Sequence, residues 1–238
     1  MQYDSFDLVH AALVEHYANW KSHDAKFLAS FKDGLKRNQI DSVSLRNFTS
    51  QYGVGWHLER DREKEYSEII LQKLAEWRAK SSLTEKCRVV CGISREAQAK
   101  AVTNCFAASL ASKTVWFLKP DNWTMYDNFA ANGIGAHGNK SEIKMNNFYE
   151  RLDAFEGSAL WESYRKTLTT SSFRFLWPER ITDKLLMVLG RPLRQFTFRF
   201  QGYGSAANPE DREALLSLAT ELAKITNGSQ FWNKLQEI

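Results

Sequence analysis

The chain has 238 residues, 43% of them hydrophobic, enough for one large domain or two small lobes around a substantial core, which excludes a disordered chain. The formal charge of +4, from 32 basic and 28 acidic residues, permits a polyanionic partner without demanding one. No apolar run approaches membrane-spanning length, and Asp4 and Asp7 interrupt the place where a secretory signal would carry its apolar stretch. The expectation is a soluble, cytoplasmic protein with no membrane partner.

The first half reads as successive helices. Residues 4 to 19 carry Phe6, Val9, Leu13 and Tyr17 at helical spacing, and Ser22 is placed to cap a second helix that holds Phe27, Leu28 and Phe31 before Gly34 stops it. "RDREKEYSEIILQKLAEWRAK" puts Tyr66, Ile69, Ile70, Leu74 and Trp77 in one stripe on a charged helix. Ser94 is placed to cap the alanine-rich run "REAQAKAVTNCFAASLA", which ends just before Lys113. Further helices are expected from Ser141, over 158 to 170, from Pro178 to Gly190, and from the Asn208–Pro209 pair through Lys224. In "RQFTFRFQGYG", Phe196, Phe198 and Phe200 alternate with polar residues, predicting at most one short strand near 195–201. The fold class expected is therefore mostly α, a single helical domain over 1–238, with the loop-like region 133–141 available to separate two lobes.

Metal and cofactor chemistry finds little footing. Cys87, Cys91 and Cys105 lack paired CxxC spacing and do not make a four-cysteine cluster. The histidines, at 10, 16, 23, 57 and 137, show no HExxH arrangement, and "GIGAHG" has no preceding strand. No metal and no organic cofactor are expected.

The densest chemistry lies in "ASKTVWFLKPDNWTMYDNFAANGIG", residues 111 to 135. Read locally, "FAASLASKTVWFL" is helix, tight connection, helix, with Lys113 heading the second element. Free N–H groups at such a connection would bind a phosphate. Pro120 ends the second element, and the residues from there to Asp127 span about 26 Å when extended, ample for Asp127 to return beside Lys113.

Over residues 94–135 the chain resembles the helix-hairpin-helix base-excision DNA glycosylases, the superfamily of endonuclease III and the 8-oxoguanine glycosylases. "SLASKT" falls on the hairpin, with Ser109, Ala111 and Ser112 where the family carries glycines; Lys113 falls on the lysine of lyase-type members and Asp127 on the essential aspartate. The resemblance implies a monomer, with two lobes flanking a cleft, that flips a modified or damaged base out of double-stranded DNA and cleaves its N-glycosidic bond. Asp127 would stabilise the positive charge on the sugar, and Lys113 would form a Schiff base or contact a phosphate. Trp116, Trp123, Tyr126 and Phe129, and a second group of Tyr52, Trp56 and His57, supply stacking faces for a flipped base. One branch of this likeness, the phage-defence glycosylases that excise glucosylated hydroxymethylcytosine, adds an expectation of antiviral defence. A non-catalytic helical module that binds nucleic acid or protein is the alternative.

Overall fold

The computed structural model describes residues 4–173, 175–191 and 207–227, and these are mostly helical. Among them there is no strand, only an isolated antiparallel bridge between Leu58 and Thr103. The alternating run at 195–201 lies outside the described residues.

Helix α1 (Ser5–Asn19) begins at Asp4, whose carboxylate accepts the Asp7 N–H at 2.8 Å. Ser22 does not cap the next helix, because the chain never leaves helical geometry there. It passes through a π-helical turn, Trp20–Asp24, straight into α2 (Ala25–Lys36). Tertiary contacts hold the widened turn: Trp20 stacks on Phe175 with centroids 5.2 Å apart, and Asp24 points inward to Arg180. Gly34 is likewise inside α2 and not its stop. A Cβ there would stand 2.9 Å from the Gln39 carbonyl, so the returning chain requires the glycine.

Helix α3 (Ser42–Gln51), capped by Asp41 on the Ser44 N–H at 2.7 Å, buries Leu45 and Phe48. A 3-10 turn (Gly55–His57) leads to α4 (Glu63–Arg78), the charged helix with the expected apolar stripe. Helix α5 (Leu83–Ala99) starts earlier than Ser94 would place it, since Ser82 and Glu85 form a reciprocal capping box. Ser94 is buried within that helix. The alanine-rich run is not one helix either: α5 ends at Ala99, residues 100–107 form a connection, and α6 (Ala108–Leu118) follows.

The remaining helices are α7 (Asn128–Gly133), α8 (Ser141–Glu156), α9 (Ala159–Thr169), α10 (Pro178–Leu189) and α11 (Pro209–Thr226). Ser158 caps α9 by accepting the Trp161 N–H at 3.2 Å, and Asn208 accepts the Asp211 N–H at 2.8 Å, as its position predicted. Pro178 and Pro209 occupy first turns, where the missing N–H costs nothing. One continuous apolar core joins these helices, with α10 packed between α1 and α7 and α5 against α4, α6 and α8. No helix among the described residues is long and apolar enough to cross a membrane.

The contact between α7 and α10 is unusually close because glycines face each other across it. A Cβ on Gly133 would lie 2.1 Å from the Leu186 carbonyl, and one on Gly190 would lie 1.8 Å from that of Phe129. Backbone atoms cannot swing aside as a side chain would, so Gly133→Ala must separate the helices. The expected cost is about 3 kcal/mol, at the upper end for overpacking, read as a lower thermal midpoint. A midpoint within 1 °C of the natural protein's would show that the helices have room to part.

Candidate active site

Helices α6 and α7 bring Lys113 and Asp127 together. Lys113 lies in the middle of α6, not at its head, and its Nζ donates to Ser109 Oγ one turn earlier at 2.8 Å and to Asp127 Oδ2 at 3.0 Å. Asp127 is the N-cap of α7, and its other oxygen accepts the Phe129 N–H at 2.9 Å. Burial alone would raise the Asp127 pKa, but the Lys113 ammonium and the Phe129 N–H outweigh it and hold the group below its ordinary value. It is therefore a carboxylate at neutral pH.

This pair forms one wall of a cavity of about 360 Å³. Tyr52, from the end of α3, and Phe129 present ring faces; Arg180 and Lys184 come from α10, Glu15 and Asn19 from α1, and Arg191 from the segment after α10. The Lys113 ammonium stands 6.0 Å from the Tyr52 ring centre and the Arg191 guanidinium 5.7 Å from that of Phe129.

Behind the wall lies a buried ionic network. Arg180, 1% exposed, donates to Asp24 at 3.3 Å, to the Tyr52 hydroxyl at 3.3 Å and to Asp183, while Tyr52 donates to Asp24. Glu15 accepts from Lys184 at 3.0 Å and from two nitrogens of Arg191 at 2.6 and 3.1 Å. Burial works to raise Glu15 and Asp24, yet Lys184 beside the first and Arg180 beside the second pull both well below the usual carboxylate range. The Nε atoms of Arg180 and Arg191 and the Oδ1 of Asp183 are buried without a hydrogen-bond partner.

His16 closes the network from α1. Its Nε2 faces the Phe175 carbonyl at 3.0 Å and therefore carries the proton, while Nδ1 is buried without a partner. Burial first, and the Arg180 charge second, lower its pKa to about 4. A group depressed in the folded state withdraws stability as acid protonates it in the unfolded chain. The His16 contribution to stability is therefore full above about pH 6.5 and falls towards pH 4 with a slope approaching 1.4 kcal/mol per pH unit, while Glu156, whose carboxyl is pushed up to about 8 by burial, acts in the opposite sense over the same range. Denaturant unfolding at pH 7 and pH 5 measures this. His16→Gln should therefore lose less stability than the natural protein between pH 7 and pH 5, since His10 and His57, which burial also lowers, and Glu156 are the same in both. Equal changes in the two proteins would contradict it.

The expected site residues divide sharply. Ala111 and Ser112 are fully buried within α6, and the Ala111 N–H is taken by the Ala107 carbonyl at 3.0 Å, so neither can offer a backbone donor to phosphate. The Ser112 hydroxyl instead ties the core, meeting Tyr149 Oη and the Tyr126 N–H, each at 2.8 Å. Ser109 holds Lys113. The connection that does join two helices is 100–107, upstream of the expected hairpin. Trp116, Trp123 and Tyr126 belong to the core: each is at most 2% exposed, Trp123 stacks on Tyr149 at 4.2 Å, and none lines the cavity. Large rings at helical spacing gain more from full burial than from a half-open site.

Trp56 and His57 also stand outside the cavity. Trp56 is 68% exposed, its Nε1 donating to the Gly53 carbonyl, and His57 lies against Cys105 Sγ at 3.0 Å. Burial and then the Lys113 charge lower the His57 pKa, which puts it within the field of the lysine. Glu15, Arg180, Lys184 and Arg191 were missed. For the three on helices the signal is a charge on an otherwise apolar face, Glu15 beside Ala11 and Ala18, and Arg180 and Lys184 next to Ile181 and Leu185.

Among the described residues no group of three or more His, Cys, Asp or Glu is arranged to hold a metal ion. No protein-family model matches this chain, and no curated protein or solved structure is significantly similar to it.

Proposed function

We propose that this chain is a DNA glycosylase that releases a modified or damaged base by cleaving its N-glycosidic bond after the nucleotide is flipped out of the duplex. The observation that carries the reading is the Lys113–Asp127 pair at 3.0 Å on the wall of the cavity. Cleavage of an N-glycosidic bond builds positive charge at the anomeric carbon, and Asp127 is a carboxylate held ionised and aimed by Lys113 and the α7 N-terminus. The cavity is of ligand-binding size, and the faces of Tyr52 and Phe129 suit a flat base. Exposing the protein to duplexes that each carry one modified or damaged base, then scoring abasic sites, tests the reading directly. Release of at least one base supports it, and no release from any duplex rejects it.

A non-catalytic helical module is favoured by one observation, that Asp127 also caps α7. Salt separates a nucleic-acid grip from a protein-binding role. Contacts to phosphate release counterions, so duplex affinity is expected to fall at least tenfold between roughly 50 and 200 mM salt. Salt-insensitive binding, or none at low salt, would leave the protein-interaction module.

A further inference from the structure

Two lysines line the cavity, and their partners differ in a way that decides which can act as an amine. Lys113 gives one N–H to Ser109 and another to Asp127. With Asp127 it makes a neutral pair; removing its proton would leave an uncompensated carboxylate in a largely buried site. Lys184 has one hydrogen bond, to Glu15 Oε1, and Arg191 holds the same carboxylate through two more. Glu15, Lys184 and Arg191 together carry one net positive charge, so removing the Lys184 proton leaves a neutral Glu15–Arg191 pair.

The other neighbours act in both directions. Arg180 lies one helical turn before Lys184 on α10 and adds a second guanidinium, while Asp183 on α10 and Asp24 in the π-helical turn oppose it. Burial first and Arg180 next lower the Lys184 pKa, against the pull of Glu15, Asp183 and Asp24. Lys184 also contributes to lowering Asp127, which places its charge close to the carboxylate.

We propose that Lys184, and not Lys113, is the nucleophilic amine of this cavity and forms an imine with the C1′ carbon of a deoxyribosyl group. The identity of that electrophile rests on the base-excision reading; the choice of amine does not. Nζ bonds to C1′ as the C1′–N bond breaks, and the base leaves with the bonding pair and takes one Nζ proton. The nitrogen lone pair then forms C=N as C1′–O4′ breaks, and O4′ takes the second Nζ proton. Asp127 faces the charge that develops at C1′, and Lys113 keeps that carboxylate ionised.

The test is covalent trapping on the natural protein. A duplex with an abasic site and borohydride should give an adduct whose modified residue maps by peptide mass spectrometry to Lys184. In a separate reaction without DNA, pyridoxal 5′-phosphate with borohydride should label Lys184 ahead of Lys113. Lys184→Arg keeps the charge against Glu15 and should lose both adducts with its thermal midpoint nearly unchanged. Mapping of either adduct to Lys113, or no adduct with either probe, overturns the assignment. Labelling of Lys184 by pyridoxal phosphate in a protein that releases no base supports the amine and rejects base excision. Base release without any trapped lysine rejects the amine and keeps base excision.

Discussion

Replacing Asp127 with asparagine is expected to abolish the proposed base excision and to leave the protein folded. The substitution keeps an oxygen that can accept the Phe129 N–H, so the α7 cap survives, while the negative charge beside the reacting carbon is lost. Loss of one preorganised electrostatic partner at a reacting centre lowers turnover by roughly 10²–10³-fold or more. The stability cost is smaller, roughly 1–3 kcal/mol, because the Lys113 ammonium keeps only Ser109 as a partner. Single-turnover excision and a thermal melt on the same preparation check both halves. Retained excision with a lower melting point would make Asp127 a helix cap alone and remove the basis of the glycosylase reading.

The largest loss of stability is expected from Arg180→Met. Methionine fills much of the same volume, so packing against Trp116 and Tyr52 is largely kept. What disappears is the charge between Asp24 and Asp183, two carboxyl groups that are each at most 1% exposed. Uncoupling a buried ion pair from one side leaves the other side's desolvation uncompensated and costs about 3–5 kcal/mol. For a chain of this length that is a fall in melting temperature of roughly 10 °C. Tyr52 would lose a partner as well, disturbing the ring that faces Lys113. A loss below about 1 kcal/mol would show that the network is solvated in solution. The same network explains how the cavity holds Arg180, Lys184 and Arg191 as cations: each is anchored by a carboxylate on α1 or the turn after it, distant in sequence.

Those sequence distances also separate what could be read from the chain alone from what could not. Asn208 was legible as a cap because it bonds an N–H three residues away, a contact set by local geometry. The Lys113–Asp127 pairing was legible for a similar reason, since only 14 residues and a proline-broken connection separate the two. The boundaries at Ser22, Gly34 and Ser94 were misplaced because other contacts, tertiary or local, outweigh their signals. Trp20 on Phe175 and Asp24 on Arg180 carry the helix through Ser22, while at Ser94 a stronger local signal, the Ser82–Glu85 box, starts the helix earlier. The cavity belongs wholly to the tertiary structure. Glu15 meets Arg191 across 176 residues and Arg180 meets Asp24 across 156, and no periodicity in the sequence encodes either pairing. Composition and spacing determined a helical chain with an amine and a carboxylate in reach of each other. The packing of α1 and α10 decided that they face a charged cavity, because only folding brings charges so far apart in the chain close enough to offset one another's desolvation.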